Sequence, residues 1–145
     1  MILSVIIPFH NELKFINRAV NSAIINSDIF KEMEIIIIND GFYNKDEIRS
    51  YLHDDFKKSV IITKNIYEKG PGGARNTGLK ISKGNIIAFL DADDFWLPGK
   101  LKAQLSEIKK GSTFVATSYR FEGSEIIIYP PRNINKPTQV FLQRG

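Results

Sequence analysis

The stretch Asn85-Ile86-Ile87-Ala88-Phe89-Leu90-Asp91-Ala92-Asp93-Asp94 decides the fold class, because it is an apolar run that ends in three carboxylates. A short apolar run between Gly84 and acids is typical of a strand buried on both faces, with its acids at the carboxyl end. In extended backbone, Asp91 and Asp93 leave on the same side and could share one hard cation. We therefore expect a divalent-metal site. The alternative is that the acids only cap the next helix, which is the role we expect for Asp94.

Other apolar runs of similar length predict further strands. These strands are expected at residues 3–9, 34–38, 60–63, 113–119 and 125–129. Apolar residues at helical spacing predict helices between them. The expected helices are one with its apolar stripe on residues 15–24, capped by Asn11 with Glu12 in an acidic first turn; one over residues 44–56, opened by a capping box of Asn44 and Glu47; one that stops near Gly84; and one from Pro98 to Lys110.

Alternating strands and helices through residue 110 predict an α/β fold with a mostly parallel sheet and helices on both faces. Ligands of such sheets bind at the carboxyl ends of the strands. Residues 8–11, 39–41 and 91–94 each follow a strand, so we expect them to surround one crevice.

Composition narrows the classes of protein. The chain has 145 residues, no cysteine and a net charge of +4. Its lysines are dispersed, so nucleic acid is not an expected partner, and a disulfide framework and a cysteine nucleophile are excluded. No apolar run approaches the roughly 18 residues that span a bilayer, and residues 1–8 are typical of a first strand rather than a signal peptide. We expect a cytoplasmic protein with peripheral contact at the inner face of the membrane.

A glycine-rich loop enters the expected crevice after the third strand: Tyr67-Glu68-Lys69-Gly70-Pro71-Gly72-Gly73-Ala74-Arg75-Asn76-Thr77-Gly78. Arg75, near exposed glycine amides at a helix start, suits phosphate oxygens. It could also pair with an aspartate of the acid cluster, and the two roles are compatible. No Walker-type Gly-Lys-Ser/Thr follows, and no G-x-G-x-x-G opens the first helix, which disfavours nucleotide triphosphatases and dinucleotide-binding proteins.

The remaining polar residues at the strand ends suggest a nucleotide. Asp40 could accept from a base N–H such as the imide of uracil, or it could only form a turn with Gly41. Asp91 and Asp93 suit Mg²⁺ or Mn²⁺, which commonly bind one or two carboxylates plus substrate phosphates, so a diphosphate is the expected partner. His10 follows the first strand and could touch the ligand, although a lone histidine is more often structural. His53 is on the polar side of a predicted helix and is expected to have no chemical role. Phe95 and Trp96 are expected in the core rather than as a stacking platform.

Four blocks resemble the family 2 glycosyltransferases of the Rossmann-like GT-A fold of nucleotide-diphosphosugar transferases. They are Ser4-Val5-Ile6-Ile7-Pro8, Glu34-Ile35-Ile36-Ile37-Ile38-Asn39-Asp40-Gly41, Gly72-Gly73-Ala74-Arg75-Asn76-Thr77-Gly78 and Phe89-Leu90-Asp91-Ala92-Asp93-Asp94-Phe95-Trp96-Leu97-Pro98. The resemblance covers about the first 110 residues. It implies a nucleotide-diphosphate-sugar donor, usually a UDP-sugar, and metal-assisted transfer with inversion to a hydroxyl of a glycan or lipid-linked acceptor in cell-surface polysaccharide or glycan synthesis.

The resemblance also implies roles for single residues. Asp93 would be the main ligand of Mn²⁺ or Mg²⁺ in a D-x-D motif, and Asp91 would bind ribose or support the metal. Asp40 would contact uracil and Pro8 the nucleoside, while Arg75 would lie near the base or the diphosphate. The full expected donor-binding set is Pro8, Asn11, Asp40, Arg75, Asp91 and Asp93.

The chain departs from the family pattern in two places. Asn39-Asp40-Gly41-Phe42 replaces the common Asp-Asp-Gly-Ser, which alters the expected base contacts. The acceptor-side half of the family lies downstream of the matched region. We therefore expect residues 1–110 to bind the donor, residues 111–145 to begin a truncated acceptor-side region whose tail from Pro130 is poorly ordered, and the general base to lie downstream of Gly145.

Two rival functions stay open. The acids near the carboxyl terminus of the chain, Glu122 and Glu125, lie in no context that recommends either as a catalytic base. A non-catalytic nucleotide-sugar-binding module is therefore one alternative. A phosphohydrolase of the haloacid-dehalogenase type is the other, because such enzymes also place a D-x-D after an apolar strand.

Overall fold

The computed structural model describes residues 1–129, and its centre is a four-stranded, wholly parallel sheet. The strand order is β3-β2-β1-β4. The strands are β1 (Ile2–Phe9), β2 (Glu32–Asn39), β3 (Val60–Lys64) and β4 (Ile86–Phe89). The two central strands consist largely of Ile, Val and Leu, residues that pack well on a pleated surface covered on both sides. The parallel sheet predicted from the apolar runs is confirmed.

Helices cover both faces of the sheet, as expected. They are α1 (Leu13–Ile25), α2 (Lys45–Ser50), α3 (Asp54–Lys57), α4 (Pro71–Ile81) and α5 (Lys100–Lys109). Ile16 of α1 and Leu101 of α5 belong to the larger buried cluster on one face, whereas Ala74 of α4 packs with Ile6 and Ile36 on the other. Alternate residues of each central strand point to opposite faces, so the strands supply both clusters.

The helix α4 lies unusually close to β1. A Cβ added at Gly78 would stand 2.3 Å from Cγ2 of the buried Ile6. Gly78 therefore permits a backbone approach that any side chain would prevent, and this approach sets where the first turn of α4 meets the carboxyl ends of the strands.

Several predicted helix boundaries are wrong. The single helix expected over residues 44–56 is two helices, α2 and α3. The capping box of Asn44 and Glu47 is present, but the backbone amide of His53 donates to the side chain of Asn17 in α1 at 2.7 Å instead of continuing the helix. His53 caps the start of α3, where its side chain accepts from the backbone amide of Asp55, instead of lying on the polar side of one longer helix.

Two predicted helix starts also differ. Asn11 does not cap α1, because the Glu12 carboxylate turns back and accepts from the backbone amides of His10 and Asn11 at 2.7 and 2.9 Å. Pro98 and Asp94 do not start α5, which begins at Lys100 after Gly99 takes a positive φ of 83°.

Three strand predictions need correction. The strand β4 is only half-buried, because it lies at the edge of the sheet within the described residues. The strands expected at 113–119 and 125–129 are absent from the described chain, where one antiparallel bridge joins Tyr119 to Ile128. The expectation for residues 130–145 lies outside the described residues.

Candidate functional site

A cavity of about 730 Å³ lies at the carboxyl end of the sheet. Its walls come from the ends of β1 and β2, the first turns of α4, the turn after β4, and the chain near the Tyr119–Ile128 bridge. The fold thus brings together five of the six residues expected to bind a donor: Pro8, Asp40, Arg75, Asp91 and Asp93. The sixth, Asn11, is exposed and is not among the residues that line the cavity.

An ion pair crosses the cavity wall between α4 and the turn after β4. Nη2 of Arg75 donates to Oδ1 of Asp91 at 2.7 Å, and the side chains of Arg75 and Asp91 are only 16% and 21% exposed. The pairing of Arg75 with the acid cluster, left open by the sequence, is confirmed. Nε of Arg75 is buried without a hydrogen-bond partner among the described residues.

The acid cluster is a turn and not the extended segment that the sequence suggested. The backbone amide of Asp94 donates to the carbonyl of Asp91 at 3.0 Å, and this contact is typical of a β-turn. Ala92 points inward and is buried, Asp93 is exposed, and Asp94 is buried. Asp91 and Asp93 still line the same cavity, because the turn bends both towards it.

Asp40 ties the end of β2 to the start of α4. Its Oδ1 accepts from Nδ2 of Asn65 at 2.7 Å and its Oδ2 accepts from the backbone amide of Gly70 at 2.6 Å. The turn with Gly41 is instead formed by Asn39, whose Oδ1 accepts from the Gly41 amide. A carboxylate has about four acceptor sites, so these two bonds leave capacity for a ligand.

Sequence reasoning missed several side chains at this site. Asn65 supports Asp40, and Lys69, Tyr119 and Phe121 line the cavity. Lys69 lies in the glycine-rich loop and Asn65 two residues before it, and this loop was the available signal for both. The Tyr119 and Phe121 rings meet edge to face, with centroids 6.1 Å apart. They lie far along the chain from every motif, so no local pattern indicates them.

Arg18 was also missed, because a polar residue off the apolar stripe of a helix is usually a solvated position. Its Nη2 donates to the backbone carbonyl of Asp93 at 3.2 Å, and its Nη1 pairs with Glu122 at 2.8 Å. The guanidinium also stands over the Phe95 ring, 4.6 Å from its centroid. Arg18 thereby holds the turn that carries Asp93. Trp96 is buried in the core, as expected, and only 2% exposed.

The carboxylates of the cavity fit a metal that is shared with a ligand. No three His, Cys, Asp or Glu side chains in residues 1–129 converge as a metal cage. Mg²⁺ and Mn²⁺ nevertheless need only one or two protein carboxylates when phosphate oxygens and water complete their shell. The exposed Asp93 and the neighbouring Asp91 match that donor set.

No helix within residues 1–129 is long and apolar enough to cross a membrane.

Comparison with known families gives one match over almost the whole chain. The family described as Glycosyl transferase family 2 matches residues 4–144.

Curated relatives of bacterial origin are also similar. The E. coli protein UDP-Glc:alpha-D-GlcNAc-diphosphoundecaprenol beta-1,3-glucosyltransferase WfaP is 35% identical over 88% of this chain and 49% of its own length. The Campylobacter jejuni GalNAc(5)-diNAcBac-PP-undecaprenol beta-1,3-glucosyltransferase is 34% identical over 78% of this chain and 36% of its own. The chain therefore spans half or less of the length of these two relatives.

Solved structures share the fold. S. aureus TarS 1-349 in complex with UDP-GlcNAc is 26% identical, with a TM-score of 0.59 over 76% of this chain and 32% of that one. A mannosyltransferase from Pyrobaculum calidifontis, solved with GDP-Man and Mn²⁺, has a TM-score of 0.61 over 81% of this chain and 34% of that one. At 18% identity, the second match shows the fold alone.

Proposed function

Since the chain belongs to glycosyl transferase family 2, with the GT-A fold of its structural neighbours, we propose that its cavity binds a nucleotide-diphosphate sugar. The intact enzyme then transfers the sugar with inversion to a hydroxyl group of the acceptor. The cavity lies at the carboxyl ends of the parallel strands, where ligands of such sheets bind.

The observation that carries this proposal is the meeting of Arg75, Asp91 and Asp93 in one cavity. A diphosphate brings negative charge, which the guanidinium of Arg75 can meet from the cavity wall. Two carboxylates beside a diphosphate repel it unless a cation lies between them. The site therefore offers a guanidinium for the diphosphate and two carboxylates for the metal ion.

We assign the metal to Asp93, with Asp91 as the second carboxylate. When bound, Mn²⁺ or Mg²⁺ neutralises the charge that develops on the diphosphate leaving group. Asp91 has a further role that needs no metal, because it holds Arg75 in the cavity. Arg18 fixes the backbone of Asp93 and so acts as a positioning residue.

The donor is proposed to be a UDP-sugar. Asp40 and Pro8 line the part of the cavity formed by the ends of β1 and β2, and we place the nucleoside there. The similarity to TarS, solved with UDP-GlcNAc, supports uracil as the base.

The acceptor is proposed to be a lipid-linked glycan. The E. coli and Campylobacter relatives are named for acceptors carried on diphosphoundecaprenol or PP-undecaprenol. A lipid-linked acceptor is held in the membrane, so we propose that the protein acts at the inner face of the membrane, in the synthesis of a cell-surface polysaccharide.

We place the general base in the part of its relatives' length that this chain does not span. Three carboxylates at the cavity are already engaged: Glu12 with two backbone amides, Asp40 with Asn65 and Gly70, and Asp91 with Arg75. A base that removes the acceptor proton needs a carboxylate within reach of that hydroxyl. A module that binds the nucleotide sugar without transfer is the alternative that these engaged acids favour.

Calorimetric titration with UDP tests the proposal. The protein is expected to bind UDP more tightly with Mn²⁺ than without it, and Asp93→Asn should remove that difference. Asp28→Asn is the matched control, because Asp28 is an exposed aspartate in the loop before β2, at the amino ends of the strands and away from the cavity. A UDP affinity that is indifferent to both the metal and Asp93→Asn contradicts the proposal.

A further inference from the structure

A large aromatic side chain stands in solvent beside the cavity. Phe42 is 89% exposed and follows β2 by way of Asp40, which lines the cavity. Single exposed apolar side chains are common and need no explanation by themselves. The position of this one, on a loop that the protein holds firmly, is less ordinary.

The loop that carries Phe42 is fixed at both ends by Asn39. Oδ1 of Asn39 accepts from the amide of Gly41 at 3.0 Å, and its Nδ2 donates to the carbonyl of Tyr43 at 2.5 Å. The backbone of Gly41 also packs closely against His10, the residue that follows β1, since a Cβ added at Gly41 would stand 1.7 Å from the carbonyl oxygen of His10. Phe42 is therefore presented by a backbone with little freedom to move.

Two lining residues of the cavity flank the Phe42 ring. Nζ of Lys69 lies 4.8 Å from the ring centroid, and the His10 ring lies 6.1 Å away at an angle of 57°. Both His10 and Lys69 line the cavity next to Asp40. Phe42 itself does not line the cavity, but its ring contacts two residues that do, beside the end where the nucleoside is proposed to bind.

We infer that Phe42 is a donor-binding residue whose ring covers the nucleobase of the bound donor. This inference rests on the proposed function. Stacking a base on the ring removes apolar surface of both from water, and the fixed loop loses little conformational entropy in doing so.

The test separates the base from the phosphates. The purified protein is titrated with UDP and with inorganic diphosphate, each with Mn²⁺, as the unsubstituted chain and as Phe42→Ser, Phe42→Tyr and Tyr51→Ser. Phe42→Ser should weaken UDP binding about 5- to 150-fold, because base–aromatic stacking is worth that much, and should leave diphosphate binding unchanged. Phe42→Tyr should keep the affinity for UDP.

The control for Phe42→Ser is Tyr51→Ser. Tyr51 is a half-exposed aromatic residue at the end of α2 that does not line the cavity, so Tyr51→Ser should change neither affinity. Unchanged UDP binding by Phe42→Ser, or an equal loss for UDP and diphosphate, overturns the inference. Failure of the unsubstituted protein to bind UDP overturns the proposed function, and this inference with it.

Discussion

Arg75 and Asp91 join two elements that are distant in sequence, since Nη2 of Arg75 donates to Oδ1 of Asp91 at 2.7 Å across the cavity wall. Arg75 lies early in α4 and Asp91 in the turn after β4. The pair therefore fixes how Arg75 stands relative to the acid cluster. Because both side chains are largely shielded from water, the pair is screened less than a surface ion pair.

A double-mutant cycle should find Arg75 and Asp91 energetically coupled. Arg75→Ala and Asp91→Ala each remove one charge and leave the other short of a partner, so each is expected to lower the free energy of unfolding. The coupling energy should be about 1–3 kcal/mol, measured by urea denaturation. The exposed pair Lys110–Glu107 is the control and should couple by less than about 0.5 kcal/mol. Strictly additive losses at Arg75 and Asp91 would show that the pair has no structural role.

Two glycines of α4 should respond differently to alanine. Gly78→Ala places a methyl group 2.3 Å from Ile6 Cγ2 in a buried contact and is expected to cost about 1–3 kcal/mol of stability. Gly72→Ala meets no atom within 4 Å, so it should leave stability unchanged or raise it by about 0.5 kcal/mol. Thermal unfolding of the two variants checks this, and equal melting temperatures would contradict the close packing of α4 on β1.

Lys100 should make stability depend on pH. Burial lowers the pKa of Lys100 to about 7 from an ordinary value of 10.5, although Nζ stands 4.2 Å from the Trp96 ring centroid and donates to Gln104. Between these two pKa values the unfolded chain holds more protons than the folded one. The contribution of Lys100 to the free energy of unfolding therefore rises with pH over this window. Below the window, the full cost of burying the charged ammonium group lowers the stability of the folded chain.

Lys100→Met should remove that contribution. The variant is expected to be more stable than the unsubstituted protein at pH 7, and the gap should narrow towards pH 10 by at most about 1.4 kcal/mol per pH unit, the limit for one proton. Lys102 is an exposed lysine of the same helix, so Lys102→Met serves as the control. Urea denaturation across pH 6–10 measures both. A gap that stays constant with pH would show that Lys100 is charged throughout.

Local patterns in the sequence predicted the sheet and most of the cavity, because strand-end positions follow from apolar runs alone. Asp40, Arg75 and Asp93 could be placed at one edge of the sheet without any contact being known. The hydrogen bonds and ion pairs between these side chains were harder to predict, because they depend on distances in the folded chain and not on the local sequence. The Arg75–Asp91 bond was foreseen only as an alternative, and the bonds from Asp40 to Asn65 and Gly70 were not foreseen.

The missed boundaries share a physical cause, which is competition from contacts that are remote in sequence or turned back on the chain. Asn17 accepts from the amide of His53 and divides one predicted helix, and Glu12 accepts from the amides of His10 and Asn11 where Asn11 was expected to cap α1. Arg18 reached the site because α1 lies beside the turn after β4, and no pattern within α1 indicates that neighbour.

The most direct test of the central claim is where Mn²⁺ binds when UDP is present. In nuclear magnetic resonance spectra of the isotope-labelled protein, paramagnetic Mn²⁺ with UDP should broaden the amide signals of residues 91–93 and Arg75, while those of Asp28 and Lys31, at the amino ends of the strands, stay sharp. Asp93→Asn should abolish this pattern. Broadening that centres elsewhere, or that is the same without UDP and in Asp93→Asn, would contradict a metal–diphosphate site in this cavity.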